Sequence, residues 1–157
     1  MLRALFLDFD GPMHPVSAIN GLEPSDLRMQ ANTGERGLFR WLHHLEALLA
    51  GHDDVCLVVH SSWRRHVEND QIRQLLGSLG MQFEGVTPGE STRYLGIQQT
   101  VERFQIESHL IVDDATAEFP AGLPELVAVH PEQGLDDPAV RKQILAWLDR
   151  TKDVVVA

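Results

Sequence analysis

Residues 2–11 read Leu2-Arg3-Ala4-Leu5-Phe6-Leu7-Asp8-Phe9-Asp10-Gly11, a nearly unbroken apolar run that stops on two acidic residues and a glycine. A run without alternation suits a strand buried on both faces of a parallel sheet. The signature returns downstream. Val55 to Val59 is a second apolar run, ending in His60-Ser61-Ser62-Trp63-Arg64, and Met81 to Val86 is a short third. Leu110 to Val112 is a fourth, ending in Asp113-Asp114, and Leu126 to Val129 is a fifth. Between them the apolar residues take helical spacing. Leu38, Phe39, Trp41, Leu42, Leu45, Leu48 and Leu49 precede Gly51, and Ile72, Leu75, Leu76 and Leu79 precede Gly80. Tyr94, Ile97, Val101 and Phe104 follow a Ser91 or Thr92 cap, and Val140 to Leu148 follows an Asp136-Asp137-Pro138 start. Buried strands alternating with amphipathic helices predict an α/β fold: a three-layer, doubly wound, mostly parallel sheet.

The rest of the chain agrees with that frame. Its 157 residues predict one domain spanning 1–157, since domains cluster near roughly 100–150 residues. Hydrophobic residues make up 43% and charged residues 23%, which speaks against disorder. Thirteen basic against 23 acidic residues give a formal charge of −10, which argues against a general nucleic-acid binder or an adherent of anionic membranes. No apolar run reaches the ~18–20 residues of a membrane span. The start runs straight into Asp8 and does not read as a signal peptide. A single cysteine, Cys56, excludes an intrachain disulfide and fits a cytoplasmic protein, and its place in an apolar strand marks it as an inert thiol.

In an open α/β sheet, ligands bind beyond the carboxyl ends of the strands. The residues after the apolar runs are therefore the informative ones. Asp8 and Asp10, two apart, point the same way in an extended chain. With Asp113 and Asp114 they bring four carboxylates together, an untenable repulsion without a cation. All-oxygen ligation selects a hard ion, and Mg²⁺ fits because it takes few carboxylates and keeps waters and phosphate oxygens. Ser61 and Ser62, at the end of the second strand, suit a phosphate oxygen or a turn. A phosphate needs a balancing cation, but the only lysines are Lys142 and Lys152. The duty falls on Arg64, Arg65, Arg73, Arg93 or Arg103. Arg93 stands out because it opens a helix, where the macrodipole disfavours a cation unless an anion is near.

These residues resemble the haloacid dehalogenase-like (HAD) superfamily of phosphohydrolases. Leu5-Phe6-Leu7-Asp8-Phe9-Asp10-Gly11 matches its first motif, and Leu57-Val58-Val59-His60-Ser61 resembles the second. Arg93 stands where the third places Lys or Arg, and Leu110-Ile111-Val112-Asp113-Asp114 resembles the fourth. The fuller match, Asp-Phe-Asp-Gly-x-x-His-Pro with Ser-Ser-Trp-Arg, is similar to small HAD domains, including those attached to RNA-repair proteins.

The resemblance implies a Mg²⁺-dependent phosphomonoesterase working through an aspartyl-phosphate. Asp8 would be the nucleophile and Asp10 the general acid and base. Asp8, the Asp10 carbonyl and Asp113 or Asp114 would hold the metal, and Ser61 or Ser62 with Arg93 the phosphate. Ser61 and Asp113 are favoured within their pairs. The short stretches from Gly11 to Val55 and from Gly80 to Gly89 leave no room for a large cap domain. An open site suits an extended substrate, so the expected partner is a phosphorylated small molecule or a nucleic-acid end. Trp63 and Arg64 are candidates to grip such an end, and His14, in the long Gly11–Gly34 loop, to touch substrate. The alternative is a catalytically silent HAD-like module that binds a phosphorylated partner.

Overall fold

The computed structural model describes residues 1–152. Five strands form one sheet in the order β3-β2-β1-β4-β5, with every pair parallel. They are β1 (Arg3–Leu7), β2 (Val55–Val59), β3 (Phe83–Val86), β4 (Ser108–Asp113) and β5 (Leu126–Ala128). The α-helices are α1 (Leu27–Thr33), α2 (Leu42–Leu49), α3 (Asn69–Leu75), α4 (Arg93–Phe104) and α5 (Pro138–Thr151).

Period-two alternation in β1 sorts the core into two layers. Leu5 and Leu7 join a cluster with Leu27 of α1, Leu45 of α2, Ile72 of α3 and Ile144 of α5. Ala4 and Phe6 face the other way, with Ile97 of α4 and Phe119. Helices therefore cover both faces, as the nearly continuous apolar strands require. The chain winds outward from β1 to β3, crosses back under α4, and resumes at β4 on the far side of β1. The strand order reverses between β1 and β4, which makes the end of β1 the switch point.

Two helix boundaries differ from the sequence pattern. Helical spacing begins at Leu38, but α2 begins only at Leu42. Gly37 and Phe39 carry positive φ of 65° and 62°, which no right-handed helix admits. Tertiary contacts impose that shape. The Phe39 N–H donates to His14 Nδ1 at 3.1 Å, and its ring meets Phe9 edge-on at 4.9 Å. The apolar stripe from Ile72 to Leu79 divides into α3 and a 3-10 turn over Gly77–Gln82. The Asp137 cap is as expected, with Oδ1 accepting from the Ala139 N–H at 2.9 Å and Pro138 at the first helical position.

No helix among the described residues is long and apolar enough to cross a membrane.

Candidate active site

Register brings the carboxyl ends of β2, β1 and β4 to one level. Leu7 pairs with Val59 on one side and Val112 on the other. Hydrogen bonding runs one residue further, from the Asp8 N–H to Val112 O at 3.1 Å and from the His60 N–H to Leu7 O at 3.2 Å. Asp8, His60 and Asp113 therefore stand side by side, and each is at most 1% exposed.

Asp113 is the best-anchored group. Its Oδ2 accepts from His60 Nε2 at 2.7 Å and from Arg93 Nη1 at 2.9 Å, and its Oδ1 from the Ala115 N–H at 2.8 Å. Burial opposes its charge, but His60, Arg93 and the Ala115 amide outweigh it and hold the carboxyl below the usual range. For His60, burial wins and pushes the imidazole pKa down, so the ring is a neutral donor through Nε2.

Asp8 has the opposite balance. Its Oδ1 accepts from the Phe9 N–H at 2.9 Å. Its Oδ2 lies 2.9 Å from Arg93 Nη1 but off the hydrogen-bonding direction, and is a buried oxygen without a hydrogen-bond partner. Burial, then the charge of Asp113, push its carboxyl well above the usual range, with Arg93 pulling down and Asp114 adding to the rise. Burial first also raises Asp114.

Carboxylate oxygens of Asp8, Asp113 and Asp114 lie within 4.8 Å of one another. This all-oxygen set, with an orphaned oxygen on Asp8 and two carboxyls pushed toward their protonated forms, fits a hard divalent cation. Asp114 owes its place to Gly11. A Cβ there would lie 2.7 Å from Asp114 Cγ, on a backbone with φ of 105°.

Arg93 opens α4 and explains its own position. Besides Asp8 and Asp113, it pairs through Nε with Glu118 Oε2 at 2.9 Å. Burial opposes its charge, but Asp8 and Asp113 outweigh it and raise its pKa. Among the other candidate arginines, Arg64 donates to the carbonyls of His60, Ser61 and Ser91, and Arg65 to that of Gly89. Arg73 pairs with Asp70, and Arg103 stacks on Phe104.

Asp10 contributes no side-chain oxygen to the acidic group. Its Oδ1 instead accepts from His14 Nε2 at 2.8 Å and Trp63 Nε1 at 2.9 Å. Ser61 is buried and caps the turn over Ser62–Arg65 by accepting from the Trp63 N–H at 3.2 Å, while Ser62 is partly exposed. Trp63 is fully buried, and Arg64 is buried with both Nη groups on backbone carbonyls, so neither is free to grip a nucleic-acid end. His14 is likewise buried and touches Asp10 rather than solvent.

The Asp10 loop is held from below by the segment leading into α5. Pro12 O accepts from the Leu135 N–H at 3.1 Å, and the Val16 N–H donates to Pro131 O at 2.9 Å. Gly134 packs so tightly that a Cβ there would come within 2.0 Å of Gly11 O.

Sequence reasoning gave His60, Glu118 and the indole of Trp63 no part in this constellation. The only signal for His60 was its place at the end of a buried strand. A groove of ≈ 770 Å³ beside β3 and α4 is lined by none of Asp8, Asp10, Asp113 and Asp114. Cys56 lines it, with its thiol pKa pushed up, first by burial.

A parallel α/β sheet with an acidic cluster at its switch point, flanked by a helix-borne arginine, is the arrangement of a HAD domain. A family model described as the HAD domain in Swiss Army Knife RNA repair proteins matches residues 4–140, and the chain belongs to that family. No curated protein and no solved structure gives a significant match.

Proposed function

We propose that this HAD domain is a Mg²⁺-dependent phosphomonoesterase acting through an aspartyl-phosphate, with a nucleotide or nucleic-acid end as substrate. The observation that carries the reading is Asp8 Oδ2, a buried carboxylate oxygen without a hydrogen-bond partner between Arg93 and two further carboxylates. The nucleic-acid end is inferred from the RNA-repair description of the family.

Asp8, Asp113, Asp114 and the Asp10 carbonyl are the groups that would hold the ion. When bound, it supplies positive charge that lets Asp8 ionise and lowers the repulsion between carboxylate and phosphate. Asp8 then attacks phosphorus. Its O–P bond forms as the P–O bond to the leaving group breaks, and the departing oxygen takes a proton from Asp10. In the second half Asp10 takes a proton from water, the water oxygen bonds to phosphorus, and the Asp8–phosphorus bond breaks to release inorganic phosphate. Arg93 and the Ser61 or Ser62 hydroxyl hold the non-bridging oxygens, where charge is spread in the transition state. We read residues 1–157 as one such domain.

The second reading is a catalytically silent module that binds a phosphorylated partner. In either reading the phosphate competes for Arg93 with Asp8, Asp113 and Glu118. A panel of phosphomonoesters separates the two, using nucleotides and RNAs carrying a 5′- or 3′-phosphate, with Mg²⁺ and with a chelator. Metal-dependent phosphate release that disappears in Asp8→Asn supports the enzyme. Binding of the phosphorylated ligands with no release supports the silent module.

A further inference from the structure

We infer that His14 and Trp63 are positioning residues that fix which oxygen of Asp10 does the proton transfer, an inference that rests on the phosphomonoesterase reading above. Asp10 Oδ1 accepts two hydrogen bonds, from His14 Nε2 at 2.8 Å and from Trp63 Nε1 at 2.9 Å. Both donors are obligate. An indole nitrogen can only donate. The Phe39 backbone N–H, also donor-only, occupies His14 Nδ1 at 3.1 Å, so Nδ1 is the unprotonated nitrogen and the ring hydrogen sits on Nε2.

With two N–H groups aimed at it, Oδ1 stays an acceptor whether Asp10 is charged or neutral. The transferable proton can therefore reside only on Oδ2. That oxygen makes no hydrogen bond among the described residues and is not one of the buried unpartnered atoms, and with the Asp10 side chain 18% exposed it reaches solvent.

The clamp is itself clamped. His14 and Trp63 are both 0% exposed. Phe39 meets His14 and Trp63 edge-on at centroid distances of 5.4 Å each, and Phe9 meets Trp63 at 5.6 Å. Such contacts fix ring orientation as well as filling space. They also give a reason for the left-handed backbone at Phe39, which brings its N–H onto His14 while its ring closes the cluster. Pro12 and the turn from Phe9 to Met13, closed by the Met13 N–H on Phe9 O at 2.9 Å, bring His14 back beneath Asp10. In the first half-reaction, the Oδ2 proton passes to the leaving oxygen as its bond to phosphorus breaks. In the second, Oδ2 receives a proton from the attacking water. Oδ1 stays in place through both.

The test compares His14→Leu, His14→Gln and Trp63→Phe on two esters, an alkyl phosphate whose alkoxide needs a proton to leave and p-nitrophenyl phosphate, which does not. Loss of acid positioning is expected to lower kcat on the alkyl ester by about 10–100-fold, part of the 10²–10⁴ that general acid–base catalysis supplies. The burst rate of p-nitrophenol release, which reports the first half-reaction alone, is expected to fall far less. His14→Gln, whose amide can accept from Phe39 and donate to Asp10, is expected to recover much of the rate lost in His14→Leu. Equal losses on both esters in kcat/KM, which reports the first half-reaction, or no advantage of Gln over Leu, overturn the inference.

A second readout does not need turnover. The Trp63 indole ¹H–¹⁵N resonance, assigned by its absence in Trp63→Phe, should move upfield and exchange faster in Asp10→Ala. An unmoved resonance removes the clamp even in an active enzyme. A wild-type protein inactive on both esters and on the phosphorylated nucleotides and RNAs removes the phosphatase reading, while the resonance still decides whether the clamp exists.

Discussion

His60 hands its Nε2 hydrogen to Asp113 across 2.7 Å, with both side chains wholly shielded from solvent. This bond orients the acidic residue at the end of β4 before any ligand arrives. Partners that orient a metal-binding group typically contribute 10–100-fold to affinity or activity. His60→Ala is accordingly expected to weaken Mg²⁺ binding by about that factor, read by calorimetric titration. An unchanged Kd would show that Ala115 and Arg93 alone suffice to place Asp113.

Gly11→Ala should separate Asp114 from the other two carboxylates. The new methyl would lie 2.7 Å from Asp114 Cγ, and alanine is strained at a φ of 105°. We expect a stability loss of about 1–3 kcal/mol in urea and a larger proportional loss of Mg²⁺ affinity. Retained affinity would take Asp114 out of the ion site.

Asp8→Asn should abolish turnover yet raise the Tm of the metal-free protein near neutral pH, by roughly 2–4 °C if about 1 kcal/mol of repulsion is relieved. The substitution removes a carboxyl whose ionisation burial and Asp113 oppose, while the Asn carbonyl still accepts from the Phe9 N–H. Wild-type turnover in this variant would mean that another group is the nucleophile.

Arg93→Ala should do the reverse, leaving Asp8 and Asp113 without their shared cation. Removing one partner of a largely buried pair costs about 3–5 kcal/mol, and the 20% exposure of Arg93 puts this case at the lower end. Chemical denaturation reads the loss, and inorganic phosphate binding should weaken with it. Unaltered phosphate affinity would hand the role to a different cation.

The pH response follows from the directions of the shifts. Asp8 and Asp114 have folded pKa values above those of the unfolded chain. Their contribution is complete below the ordinary aspartate value of ~3.9 and is lost as pH rises through the elevated values. Asp113 behaves oppositely, contributing above that ordinary value and losing its share as pH falls below it. In chelator, the share of Asp8 and Asp114 should therefore decline as pH rises above ~3.9, while buried His60 and partly buried His109, with lowered pKa values, gain as pH rises toward ~6.5. The Tm difference between wild type and Asp8→Asn isolates the aspartate share, and saturating Mg²⁺ should flatten or invert its slope. A difference that moves in favour of the wild type as pH rises in chelator would contradict the assignment of Asp8.

The frame of the molecule was open to reading because it is written locally. An apolar run closed by Asp8 and Asp10 announces a central strand and its chemistry together, as the run before Asp113 does. The helix start at Leu42 was hidden because Phe39 obeys His14, not its neighbours in sequence. His60 and Trp63 were hidden for a related reason. Each meets its carboxylate across 53 residues, and no spacing rule encodes a hydrogen bond made at that range. Arg93 was legible because a cation at a helix start is locally unfavourable and so calls for a partner elsewhere.

The loop beneath Asp8 and Asp10 takes its last hydrogen bonds from Pro131 and Leu135. Proteins are synthesised from the amino end, and a backbone amide or carbonyl destined for the interior must find its match before water is shut out. On the ribosome, the two leading aspartates have to wait until Leu135 has emerged before their loop can set. Translation that stalls ahead of Leu135 leaves a nascent chain bearing every acidic residue of the cluster and no finished site.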